Sequence, residues 1–235
     1  HLEERLAIAL QARCGIQRPR KICGTEAEIG LSGHAELAQS AERRQAPDHM
    51  VPRREGRDIR TRGLDDKDTY YYRGAFLDCV RGVDYLCSRA DVDPDRITVW
   101  GMSQGGGLAF ATAALDQRID LCIADIPWLC DWVNYSTLVD TDNDMDRWME
   151  AKKSRTEESV LKTLSYFDTM NFADRIQCPT LMGVGLQDSI CPPSTSFATF
   201  NRITAARDYR IYENSGHGLG GPWAHHIGQG HYPDW

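Results

Sequence analysis

RITVWGMSQGGGLAF, residues 96–110, is the stretch on which the fold turns. A β-branched run breaks into glycines around one serine and resumes as small and apolar residues, which reads as a strand, a sharp reversal and a helix. At that junction Gly101, Ser103 and Gly105 stand in the spacing Gly-x-Ser-x-Gly. Such a reversal strains the backbone of the serine, and small residues two positions to either side let strand and helix approach closely. The hydroxyl of Ser103 is then presented at the carboxyl edge of a sheet. The backbone N–H of Gln104, with the start of the helix dipole behind it, points at the same reacting oxygen and supplies half of an oxyanion hole. A phosphate loop is the competing reading. It fails on the residues, which offer no Gly-Lys-Ser ending and no Gly-x-Gly-x-x-Gly with a later acid on a second strand.

The chain around this junction alternates. DTYYYRGAFLDCVRGVDYLCSR (68–89) puts Tyr72, Phe76, Cys79, Val80, Val83 and Cys87 on one helical face, with Asp68 or Thr69 as a cap. GLAFATAAL (107–115) reads as a helix, DLCIADIP (120–127) as a strand closed by proline, and TEESVLKTLSYF (156–167) as a helix with early glutamates. CPTLMGVG (178–185), STSFATFNRI (194–203) and DYRIY (208–212) follow as strand, helix and strand. Alternation of this kind implies a parallel sheet covered by helices. A stretch with three tryptophans and a run of acids, about 128–155, interrupts the rhythm. It reads as an insertion that is either a surface loop with a small apolar face, or a lid or oligomer contact.

Composition divides the chain elsewhere. The first 63 residues hold eleven arginines and no aromatic residue. A segment so poor in aromatic and β-branched residues has little to offer a buried parallel strand. Residues 1–60 are therefore expected to be poorly ordered or loosely helical and to lie outside the sheet, with residues 61–235 forming the domain.

A serine hydroxyl is a weak nucleophile until a base takes its proton, so an acid and then a histidine should follow it for this topology. Asp188 stands in GLQDSICPP just past one expected strand, and His217 in YENSGHG just past another, where catalytic groups gather in open α/β sheets. Asp125, also at a strand end, is the rival acid. His225, His226 and His231 are rival bases, but they follow no strand. No acid or cysteine stands at a metal-ligand spacing from these histidines, so no metal and no cofactor is expected.

The bulk properties agree with an enzyme of neutral substrates. At 235 residues the chain suits one α/β domain, and a net charge of −7 with pI near 5.5 argues against nucleic acid as a partner. No apolar run approaches a membrane span, and HLEERLAIALQARCG lacks signal architecture, so a cytoplasmic location without membrane contact is expected. The eight cysteines form no CxxC pair and several sit in apolar runs, which reads as reduced core thiols.

From about Arg62 to His217 the sequence resembles the acetyl xylan esterase and cephalosporin C deacetylase family of α/β-hydrolases. The stretches that carry the likeness include the tyrosine triplet of TRGLDDKDTYYYRGAFLDCVRGVDYL, DPDRITVWGMSQGGGLAFATAAL, ADIPWLC, DSICPPST and RIYENSGH. The resemblance implies an α/β-hydrolase-type, mostly parallel sheet flanked by helices, with Ser103, Asp188 and His217 as the triad. It also implies small acetyl esters of sugars or cephalosporins as substrates, an intracellular location and a trimer-based hexamer.

The pattern departs from the family in three places. The family has an Arg-Gly-Gln motif ahead of the nucleophile, and this chain has only REGRDI and TRGL. It has its first strands and a tyrosine oxyanion donor where residues 1–60 hold no tyrosine. Its usual His-Glu is His217-Gly218, and the tail lacks the pattern of a closing helix. A sheet without its N-terminal strands is therefore expected, and a shifted reading frame at each end accounts for both ends. The alternative to an active esterase is a truncated or frame-shifted remnant acting, if at all, as a binding protein. In the active reading, Gln104 gives one oxyanion donor and a second should exist, while Pro127 and Trp128 contribute to a small acyl pocket or to the core.

Overall fold

The computed structural model describes residues 61–139 and 149–219, together with the backbone of two strands at 8–12 and 28–30. Its strands are β1 (Ile8–Ala12), β2 (Glu28–Gly30), β3 (Ile97–Met102), β4 (Ile119–Asp125), β5 (Thr180–Gly185) and β6 (Arg207–Tyr212), and they form one sheet in the order β2-β1-β3-β4-β5-β6. β3 to β6 run parallel to one another, as the alternation of strand and helix requires.

The parallel part of the sheet begins only at β3, as expected of a sheet cut short on its N-terminal side, but the expectation that residues 1–60 lie wholly outside the sheet is corrected. β1 pairs antiparallel with β3 from Ile8↔Gly101 to Ala12↔Ile97, and β2 pairs antiparallel with β1. The physical reason is the ladder. Without β1, the strand that carries the serine would present a row of unpaired amides and carbonyls, and five residues of IALQA suffice to satisfy them whatever the composition around them. The rest of residues 1–60, and with it the expectation of poor order, lies outside the described residues.

The helices are α1 (Tyr71–Cys87), α2 (Gln104–Leu115), α3 (Trp132–Leu138), α4 (Glu157–Leu164) and α5 (Pro193–Phe200). α1 buries Tyr72, Ala75, Phe76, Cys79, Val83 and Leu86, nearly the expected face, with Val80 and Cys87 at its margin. Its N-cap is Tyr70, with no side-chain cap. Asp68 pairs with Lys67, and the Thr69 hydroxyl donates back to the Gly63 carbonyl, so neither is free to cap the helix. α2 is buried from Gly105 to Ala114, which explains a sequence apolar all round rather than on one stripe. α4 opens with Thr156 and Ser159 in reciprocal bonds, a capping box.

The start of the insertion is core. Trp132 and Tyr135 on α3 are buried with Tyr72 and the half-buried Trp128, their rings in edge contacts at centroid distances of 5.1–6.2 Å. Asp168 fixes this region, accepting from the amides of Asp131, Trp132 and Met170 at 2.9–3.0 Å. Burial pushes its carboxyl up from the ordinary carboxylate range, and those three amides oppose the shift. Residues 140–148 of the insertion lie outside the described residues.

Six described cysteines are free. Burial pushes the thiols of Cys79 and Cys178 up to about 11 and that of Cys130 up to about 12, which keeps them protonated and inert as core groups. No helix among the described residues is long and apolar enough to cross a membrane.

Candidate active site

Ser103 joins β3 to α2 with φ 56° and ψ −120°, a left-handed φ that costs a residue with a side chain on the order of 1–3 kcal/mol. Three backbone bonds hold it there. Its amide donates to the Asp125 carbonyl at 2.9 Å, and its carbonyl accepts from Gly107 at 3.1 Å and Trp128 at 2.9 Å. The flanking glycines answer to sterics, since a Cβ on Gly101 would lie 2.2 Å from the Gly105 carbonyl oxygen. Gln104 is the first residue of α2, so its amide precedes the first intrahelical bond of the helix.

Asp188 follows β5. Its Oδ1 accepts from the amides of Ile190 at 2.9 Å and Cys191 at 2.8 Å, and its side chain has no exposed surface. His217 follows β6 in a turn that folds back over the end of β5, where Gln187 donates to the Ser215 carbonyl at 2.9 Å. That crossing demands glycine at 185, because a Cβ there would lie 2.5 Å from the carbonyl oxygens of both Ser215 and Gly216.

These three loops bring the expected residues into one line. His217 Nδ1 lies 2.9 Å from Asp188 Oδ2, and His217 Nε2 lies 2.9 Å from Ser103 Oγ. With a carboxylate that only accepts, Nδ1 is the ring's donor and Nε2 is left to accept the serine proton. The rival acid Asp125 is at the end of β4, as expected, but its Oδ2 accepts from the Trp100 indole at 3.1 Å. His225, His226 and His231 lie outside the described residues. Pro127 is buried and its carbonyl accepts from Ser196, while Trp128 is half-buried beside the Ser103 carbonyl.

Two neighbours were not foreseen. The Gln104 side chain donates from Nε2 to Tyr72 Oη at 2.6 Å, and Cys191 Sγ is 4.0 Å from Ser103 Oγ. The second had a signal, since Cys191 follows Asp188 by three positions in DSICPP. The first had none, because α1 and α2 meet only in three dimensions. Among the described residues, no group of three His, Cys, Asp or Glu side chains gathers as a metal site.

Comparison with known proteins shows what the chain as a whole is similar to. The acetyl xylan esterase family model matches residues 38–228, which extends beyond Arg62 and His217 at both ends. Acetyl esterase Axe7A of Xylanibacter ruminicola is 41% identical over 151 residues, 64% of this chain and 34% of that protein. The solved acetyl xylan esterase from Paenibacillus sp. R4 superposes with a TM-score of 0.66 at 41% identity, covering 73% of this chain and 56% of that one. Acetyl xylan esterase 1 from Thermoanaerobacterium sp. JW/SL YS485 gives 0.67 at 33% identity, covering 79% and 59%. The chain thus spans about a third of the curated relative and under two thirds of either solved esterase.

Proposed function

The chain belongs to the acetyl xylan esterase family, and from that premise we propose that it is a serine esterase that removes acetyl groups from small acetylated substrates. Acetylated xylo-oligosaccharides and cephalosporin C-like esters are the substrates of the proposal. The observation that carries it is the 2.9 Å contact between Ser103 Oγ and His217 Nε2, with Asp188 on the far side of the imidazole.

In this mechanism His217 Nε2 takes the Ser103 proton as Oγ bonds to the acetyl carbonyl carbon. The carbonyl electron pair moves onto oxygen, and the Gln104 amide donates to it. Collapse breaks the bond to the sugar oxygen, which leaves with the proton from His217, and Ser103 keeps the acetyl group. Water then gives a proton to Nε2 and attacks. The bond to Oγ breaks as Oγ takes the proton back from Nε2, and acetic acid departs and ionises in solution. Asp188 holds the ring in the Nδ1–H tautomer and stabilises it when charged.

Assembly as a family-type hexamer and a cytoplasmic location are parts of the same proposal. The free thiols of the described cysteines support a reducing compartment. The alternative of an inactive remnant leaves the strained φ of Ser103 without a use. A fluorophosphonate probe separates the two, since it labels an activated serine. Ser103→Ala should abolish both labelling and p-nitrophenyl acetate hydrolysis, a loss of about a thousandfold or more, with an unchanged circular dichroism spectrum. Residual activity within about threefold of the parent would sink the assignment. Acetyl esters should also turn over much faster than octanoyl esters, and equal rates would point to a lipase-like groove.

A further inference from the structure

The first turn of α2 is Gln104-Gly105-Gly106-Gly107. Three successive glycines have no side chain with which to hold a turn, and glycine loses the most backbone freedom when fixed. Yet this turn carries the amide that receives the oxyanion, and such a donor works only when its direction is set before the reaction. Backbone contacts seat Gly106 and Gly107 against residues 125–128. Gln104 is anchored differently, through the only side chain of the turn, by the 2.6 Å bond from its Nε2 to Tyr72 Oη.

Tyr72 is a rigid anchor. It has 0% exposure, and its ring lies against those of Tyr70, Tyr71, Phe76 and Trp128 at centroid distances of 5.3–6.4 Å. The Trp128 contact leads back to the same place, since the Trp128 amide donates to the Ser103 carbonyl. The ring and the hydroxyl of Tyr72 therefore brace the elbow from two directions.

Resting on the reading of Ser103 as nucleophile, we infer that Tyr72 is a positioning residue, whose hydroxyl holds Gln104 so that its backbone amide is aimed at the oxyanion. The bond is separate from those of His217, which run to Asp188 and Ser103. Its loss should therefore lower the rate of the chemical step and leave substrate binding and the titration of the base as they are.

The test uses Tyr72→Phe, Gln104→Met and the double variant in the full chain, with p-nitrophenyl acetate as substrate and rates expressed per fluorophosphonate-reactive site. Each single variant should lose about tenfold in kcat with KM within about twofold of the parent and the midpoint of the pH–kcat/KM profile unmoved. The double variant should be no slower than the slower single one, because both remove the same bond. Per-site kcat within about twofold of the parent in both singles, or losses that multiply in the double, would overturn the inference. A merely structural hydroxyl would lower the number of reactive sites and leave the rate at each unchanged. If Tyr72→Phe does not fold, Gln104→Met alone decides by the same criterion. Full activity in Ser103→Ala would fault the reading of the nucleophile, whereas an inactive Ser103→Ala beside a fully active Tyr72→Phe would fault the tether alone.

Discussion

β5 and β6 lie side by side in parallel register from Thr180↔Arg207 to Gly185↔Tyr212, yet every residue of β5 is buried and none of β6 is. Their sequences explain it. TLMGVG carries no charge and sits between two strands, while RDYRIY carries three charged residues and is the last strand of the described sheet. Each hands the site one residue from the loop that follows it. Asp188 inherits the setting of β5, with two backbone donors and no exposed side-chain surface; His217 keeps 25% of its side chain exposed. Asp188 is thus fixed as part of the core, while His217, the base of the proposed mechanism, stands beyond the more exposed strand.

The strongest probe of this contrast is Asp188→Asn. The amide can still accept from Ile190 and Cys191 through its oxygen, but its NH2 then faces His217 Nδ1 and favours the tautomer with a proton on Nε2. The kcat for p-nitrophenyl acetate should fall by roughly 10³–10⁴ while the melting temperature changes little. A loss below about tenfold would mean that the rigid acid does not set the tautomer.

Gly185→Ala tests whether β5 also controls the base. The added methyl meets the turn that carries His217, and kcat should fall by about 10² from a displacement on the order of 1 Å. Stability gives the finest comparison. Leu181→Ala, at 1% exposure in β5, should cost about 2–5 kcal/mol in urea unfolding. Ile211→Ala, at 44% exposure in β6, should cost less than about 1 kcal/mol. Equal costs would erase the distinction between the strands.

The meeting of Ser103, Asp188 and His217 was legible because each stands just beyond a strand, and parallel strands deliver such positions to one edge. The helices α1, α2 and α4 were legible from periodicity or unbroken apolar sequence. Pairing was not. Nothing local in IALQA says that it lies against Ile97–Gly101, some ninety positions on, and composition averaged over the segment hid it. Asp125 and Asp188 look alike in sequence, and the Trp100 indole beside one and the His217 ring beside the other tell them apart. The inward turn at the start of the insertion was hidden for a related reason, since the ring that Trp128 meets is Tyr72, on another helix.

Ser103 and His217 meet across 114 positions of chain, while Asp188 and His217 are separated by 29. Closing the longer loop costs only about 1.2 kcal/mol more in chain entropy, so at equilibrium the distance matters little. In time it matters a great deal, because distant contacts form after local ones have been made. During refolding from urea, burial of Trp128 and Trp132 can be complete while the serine is still unpaired. Recovery of probe labelling at Ser103 then times the final closure of the polypeptide rather than its collapse.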